Sequence, residues 1–157
     1  MPEPGSPIVE VTRAFRFSAA HRLTNPRFSP AENARLYGRC NNPNGHGHTY
    51  RLEVTIRSPV SSDTGWVEGW PVLEAVVGAA VLDRLDRSNL DHEITPEDGP
   101  TSTTEALLHL IWRLLDRRLP AGRLHRLRLE ETPNNFFELD RDGLAPSRGP
   151  REKVSPT

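Results

Sequence analysis

An α+β domain, with two helices laid on one face of an antiparallel sheet, is the fold this sequence predicts. Two early segments alternate apolar and polar residues with period two, two central segments carry apolar residues at helical spacing, and two late segments return to alternation. The predicted order is therefore ββααββ. A chain of 157 residues fits one domain, here 8–142, with 1–7 and 143–157 as flexible termini.

The first strand, Ile8 to His21, carries Val9, Val11, Phe15, Phe17 and Ala19 on one parity, so one face is buried. Thr24 to Tyr37, with two prolines and two asparagines, reads as a long loop containing one helical turn, and a loop of that length in a small domain is usually functional. The second strand, His46 to Arg57, places Tyr50, Leu52, Val54 and Ile56 on a shared face, and Pro59 to Gly65 turns the chain. Pro71 opens a helix running to Leu85, with Val72, Leu73, Val76, Val77, Ala80 and Val81 at helical spacing. Asn89 to Gly99 reads as polar loop. Ser102 and Glu105 form a capping box for a second helix, whose stripe of Leu107, Leu110, Ile111, Leu114 and Leu115 stops before Pro120. Leu124 to Thr132 and Phe136 to Asp140 are strands joined across Asn134–Asn135.

Composition narrows the function. Lys and Arg number 20 against 21 Asp and Glu, so no overall field favours nucleic acid or an acidic membrane as partner. No apolar run reaches the ~18 residues of a membrane span, and no signal peptide opens the chain. The single cysteine, Cys40, excludes an intrachain disulfide and suits a reducing compartment. A cytoplasmic protein is expected. Its 35% apolar content gives a thin core for a chain with 15 prolines, which favours self-association.

Three histidines stand out. His46 and His48 are two residues apart on one strand and so project from one face, that of Tyr50 to Ile56. His21 shares the parity of Phe15, Phe17 and Ala19. Any one histidine on an apolar face is more often a hydrogen-bonded core residue than a ligand. Three on concordant faces instead suit a three-histidine zinc site, which leaves a fourth position open for water or substrate. His109 and His125 have no ligand-type neighbours in sequence and read as a helix-surface and a strand residue.

Phe17-Ser-Ala-Ala-His21, followed by Cys40-Asn-Asn-Pro-Asn-Gly-His46-Gly-His48-Thr-Tyr50, resembles the signature of the 6-pyruvoyl-tetrahydropterin synthase family, which includes the bacterial 6-carboxytetrahydropterin synthases. The resemblance runs from about Arg13 to Phe137, through Gly65-Trp-Val, Leu85-Asp86, Thr103-Thr104-Glu105 and Glu131-Thr132. It implies the tunnelling fold (T-fold), whose sheet closes into a barrel by oligomerisation, typically as a homohexamer. It implies a pterin triphosphate, 7,8-dihydroneopterin triphosphate, as substrate and elimination of triphosphate as the reaction. His21, His46 and His48 match the family's zinc ligands, Cys40 its catalytic cysteine and Glu131 the glutamate holding the pterin ring. Thr104 and Glu105 fall in the segment used near the pterin. Glu131 also shares the parity of Leu127 and Leu129, and a carboxylate on that face needs a partner.

One position departs from the pattern. The family's Leu-Asp-His, whose Asp and His support proton transfer, falls on Leu85-Asp86-Arg87, and arginine cannot shuttle a proton. A second Leu-Asp-His, Leu90-Asp91-His92, follows five residues later. Either His92 substitutes for the base or the chemistry has changed, and a solvated loop histidine is the plainer reading of His92. Arg87 suits pairing with Asp86 or binding a triphosphate oxygen. The resemblance thus leaves three readings: the pyruvoyl-forming lyase, the 6-carboxytetrahydropterin synthase of queuosine precursor synthesis, and a pterin-binding paralogue with altered turnover.

Overall fold

The structure, a computed structural model, describes residues 5–144. Two long strands set its frame: β1 (Ile8–His21) and β2 (His46–Pro59) pair antiparallel over their whole length, from Ile8 opposite Pro59 to His21 opposite His46. Between them lies α1 (Pro30–Tyr37), followed by a 3-10 turn, Gly38–Asn41. After β2 come α2 (Trp70–Val77), a π-helical turn Gly78–Leu82 and α3 (Asp83–Leu85), then β3 (Ser88–Asn89) and α4 (Leu90–Glu93). The chain continues through α5 (Thr104–Asp116), β4 (Leu124–Thr132), β5 (Asn135–Asp140) and a 3-10 turn at Asp142–Leu144. The sheet order is β3-β1-β2-β4-β5. Every pairing is antiparallel except β3, which runs parallel to β1 for two residues.

Period-two alternation fixes the buried face. Phe17, Ala19 and His21 of β1 are buried with Tyr50, Leu52, Val54 and Ile56 of β2 and Leu127 and Leu129 of β4. This face meets Leu107, Leu110, Ile111 and Leu115 of α5 and Leu73, Val77 and Val81 of the α2 segment in one core. Each such buried aliphatic side chain contributes roughly 1.5–3 kcal/mol relative to an exposed one. The opposite face carries Arg16, Ser18 and Thr49 in solvent.

Three local expectations are corrected. The segment read as a loop with one helical turn contains the eight-residue α1, which Ser29 caps: its Oγ accepts from the Glu32 N–H while the Glu32 carboxylate accepts from the Ser29 N–H. The segment read as polar loop holds β3 and α4, with the Asn89 side chain accepting the Asp91 N–H. The capping box assigned to Ser102 and Glu105 does not form. Thr103 caps α5 by accepting the Ala106 N–H, because the Ser102 hydroxyl donates to Asp91 and Glu105 is exposed.

The helical segment Pro71–Leu85 runs from Trp70, with a π turn in its middle. The N-terminal boundary shifts too: Pro7 accepts a hydrogen bond from the Val60 N–H, so residues adjoining β1 are tied to the fold. Of the terminal segments expected to be flexible, 1–4 and 145–157 lie outside the described residues.

The loop ahead of α5 is anchored by the buried Asp98, which accepts from the N–H and hydroxyl of Thr95 and from the Arg113 guanidinium. Burial alone would raise this carboxyl, but the Thr95 and Arg113 hydrogen bonds and the Arg113 charge outweigh it and hold it below its ordinary value.

A candidate metal and substrate site

The pairing register brings the three histidines together. His21 ends β1 directly opposite His46, which begins β2, and His48 lies opposite Ala19 on the same face. Gly45 lets the chain enter β2 this close. Its φ is +66°, and a Cβ there would sit 2.8 Å from the His21 carbonyl oxygen. Three imidazole nitrogens, one from each residue, lie within 4.8 Å of one another. The rings meet nearly at right angles, with interplanar angles of 83°, 85° and 89°.

Hydrogen bonding selects which nitrogens face inward. His21 Nδ1 lies 2.7 Å from the Ser102 carbonyl oxygen, which can only accept, so Nδ1 carries the proton. His21 Nε2 then presents its lone pair 3.1 Å from His46 Nε2. His48 Nε2 is buried and has no hydrogen-bond partner. Burial lowers the His48 pKa, the neighbouring His21 and His46 act in the same direction, and Glu131 opposes them. Three converging imidazoles, one with an unpartnered buried nitrogen, form a donor set that suits zinc or a similar borderline cation.

Beside this triad stands Glu131. A β-bulge between Glu130 and Thr132 interrupts the pairing of β4 with β5 there, and the side chain turns to the site. Its Oε1 accepts from the Thr104 hydroxyl at 2.8 Å and lies 3.6 Å from His48 Nε2, while Oε2 accepts from the Asn135 amide at 3.1 Å. The carboxylate is thus half-enclosed and bonded, as its parity required. Tyr50 closes the floor. Burial, with the Glu131 charge adding to it, pushes its phenol far above the ordinary value.

Cys40 sits in the 3-10 turn after α1, held by the Leu23 N–H donating to its carbonyl oxygen. Burial raises the thiol above its ordinary pKa, and the Glu131 charge raises it further. Cys40 therefore rests as a thiol and shares the field of Glu131. It is not among the metal-donor group, which is His21, His46 and His48.

The remaining expected residues are placed differently. Asp86 accepts the Ser18 N–H at 2.9 Å, and the Arg87 N–H donates to the Ser18 carbonyl, so the two residues clamp the edge of β1. Arg87 adopts φ 61°, a left-handed conformation that costs roughly 1–2 kcal/mol for a residue with a Cβ. Its side chain is 89% exposed and 3.6 Å from Asp86. His92 is exposed on α4 and makes no described hydrogen bond to Asp86, Cys40 or the triad. Glu105 is exposed on the first turn of α5. His109 is exposed on α5 and His125 pairs with Glu10 at 3.1 Å.

Sequence reasoning missed Ser102, whose carbonyl orients His21, and Asn135, which holds Glu131. Backbone carbonyls leave no trace in a residue pattern, and the Asn135 contact depends on the tight turn between β4 and β5.

A three-histidine group beside an anchored carboxylate, on an antiparallel sheet with helices over one face, defines a candidate metal site with a neighbouring polar anchor. A family model described as 6-pyruvoyl tetrahydropterin synthase matches residues 10–142. The chain is 40% identical over 127 residues to the human 6-pyruvoyl tetrahydrobiopterin synthase, covering 81% of this chain and 88% of that protein. It is 38% identical over 132 residues to the Drosophila melanogaster enzyme of that name, covering 83% and 79%. The solved 6-pyruvoyl tetrahydropterin synthase of Caenorhabditis elegans superposes with a TM-score of 0.79 at 35% identity, covering 86% of this chain and 96% of that one. The chain belongs to the 6-pyruvoyl tetrahydropterin synthase family, a family of lyases. Among the described residues, no helix is long and apolar enough to cross a membrane.

Proposed function

We propose that this protein is a zinc-dependent carbon–oxygen lyase that eliminates triphosphate from 7,8-dihydroneopterin triphosphate to give 6-pyruvoyl-tetrahydropterin. The observation that carries this reading is the Glu131 carboxylate, bonded to Thr104 and set 3.6 Å from His48 Nε2. A ring anchor thus adjoins the metal donors. The amino-pyrimidine edge of a pterin offers two N–H donors that Glu131 accepts, with Thr104 and Glu105 flanking the ring. His21, His46 and His48 hold the metal. Zinc held there would supply Lewis acidity that acidifies the C–H bonds beside the substrate's side-chain hydroxyls. Cys40, once its own proton has passed to water, takes such a proton, and Asp86 relays it through water, His92 being exposed and bonded to neither group.

Arg87 stands where the family's relay histidine is expected. In this reading its exposed guanidinium engages the triphosphate, and water replaces the missing base. The same departure supports the two other readings, the carboxypterin-forming synthase and the pterin-binding paralogue. Among the described residues β5 pairs only with β4, and that free edge, with the exposed Phe136 upon it, supports closure of the barrel by further copies, as a homohexamer. The lone thiol supports a cytoplasmic location, and the matched span supports a single domain over 8–142.

Incubating the zinc-loaded protein with 7,8-dihydroneopterin triphosphate separates these readings. The expected products are 6-pyruvoyl-tetrahydropterin and inorganic triphosphate. Carboxypterin with acetaldehyde would replace this reading with the second, and tight binding without triphosphate release with the third.

A further inference from the structure

We propose that Asp91 is a positioning residue for the metal-binding triad, bracing His21 through Ser102 and the backbone of Arg22. The inference rests on the reading of His21, His46 and His48 as a metal site. Asp91 lies in the first turn of α4, its own N–H held at 3.0 Å by the Asn89 side chain. Its carboxylate makes two kinds of contact. Both oxygens accept the Arg22 N–H at 3.1 Å, and Oδ1 also accepts the Ser102 hydroxyl. Arg22 is the residue directly after His21, and Ser102 is the residue whose carbonyl oxygen accepts from His21 Nδ1.

One carboxylate therefore ties the backbone that carries the ligand to the backbone that orients its ring. The two arms of this brace come from segments about eighty residues apart in sequence, and it stands beside the direct contact of the His21 ring with the Ser102 carbonyl. The Ser102 hydroxyl explains why Ser102 is buried yet does not cap α5: that cap falls to Thr103. Fixing Ser102 holds its carbonyl against Nδ1, which keeps the proton there and leaves Nε2 as the donor nitrogen facing His46. Partners that hold a ligand histidine by its second nitrogen typically contribute 10–100-fold to metal affinity. Because Asp91 itself is on the exposed side of the brace, its loss leaves the core residues in place.

The test is zinc affinity of the purified full chain, measured by competition with a chromophoric chelator, together with the thermal midpoint and the ¹⁵N shifts of the His21 ring in the metal-free protein. Asp91→Ala is expected to weaken zinc binding 10–100-fold and to mix the two His21 tautomers, and Asp91→Asn, which keeps one acceptor oxygen, to restore part of the affinity. Ser102→Ala keeps the carbonyl and removes only the tether, so it too is expected to weaken zinc binding, and it decides the matter if Asp91→Ala does not fold. Zinc affinity within twofold of the parent in folded Asp91→Ala, or in folded Ser102→Ala should that decide, would overturn the brace. Absence of zinc binding in the parent chain would instead overturn the metal site on which it rests.

Discussion

Replacing Cys40 with alanine is expected to lower kcat by about 10²–10⁴-fold, the usual contribution of a positioned proton acceptor. Zinc affinity should stay within about twofold, because the donor group among the described residues is His21, His46 and His48. The separation matters. A cysteine six residues upstream of a His-Gly-His pair could be a fourth ligand, and then metal and activity would fall together. In the structure the thiol is raised in pKa by burial and by Glu131, so it begins the cycle protonated. It must therefore lose that proton before it can act as base, and a cation held by the histidine triad would favour the thiolate. A Cys40→Ala protein that retains more than about a tenth of the parent kcat would show that another group takes the proton.

Glu131→Gln should lower kcat/KM by roughly 10–100-fold, since hydrogen bonds to a charged partner contribute about 1.5–3 kcal/mol. The substitution keeps the shape and one acceptor oxygen, so Thr104 and Asn135 retain a partner and the thermal midpoint should change little. It has a second consequence with a definite sign. Burial is the larger cause of the raised Cys40 pKa and is untouched, but the Glu131 charge is the other cause, and its removal lets the thiol titrate lower. The pH profile of Cys40 alkylation in the metal-free protein should move to lower pH in Glu131→Gln. An unmoved profile with unchanged kcat/KM would mean that Glu131 serves only to join β4 to α5.

The parts of this site that a reader of the sequence can see are those set by strand parity. His21, His46 and His48 share faces with Phe17 and Tyr50, and the register of β1 and β2 carries that parity into three dimensions without a bulge near the histidines. Glu131 is legible by the same rule, although a bulge at its position sharpens its aim in a way that alternation does not reveal. The helix α1 was within reach: Ser29, Pro30 and Glu32 are a cap, a first-turn proline and a reciprocal acceptor in sequence. It is overlooked because its buried side chain is Asn33, not an apolar stripe. Ser102 shows the opposite failure. Its spacing to Glu105 satisfies the capping pattern, yet a partner eleven residues back, Asp91, takes the hydroxyl. Local pattern cannot weigh a competitor that only folding supplies. The left-handed turn at Arg87 is equally silent in sequence, since an arginine gives no sign of a positive φ.

Zinc K-edge X-ray absorption of the zinc-loaded chain tests the central claim most directly. Three imidazole nitrogens and one further light atom at about 2.0–2.1 Å, with no sulfur, are the shell that His21, His46 and His48 predict. A sulfur scatterer at about 2.3 Å, or a shell of fewer than three imidazoles, would contradict an open three-histidine site.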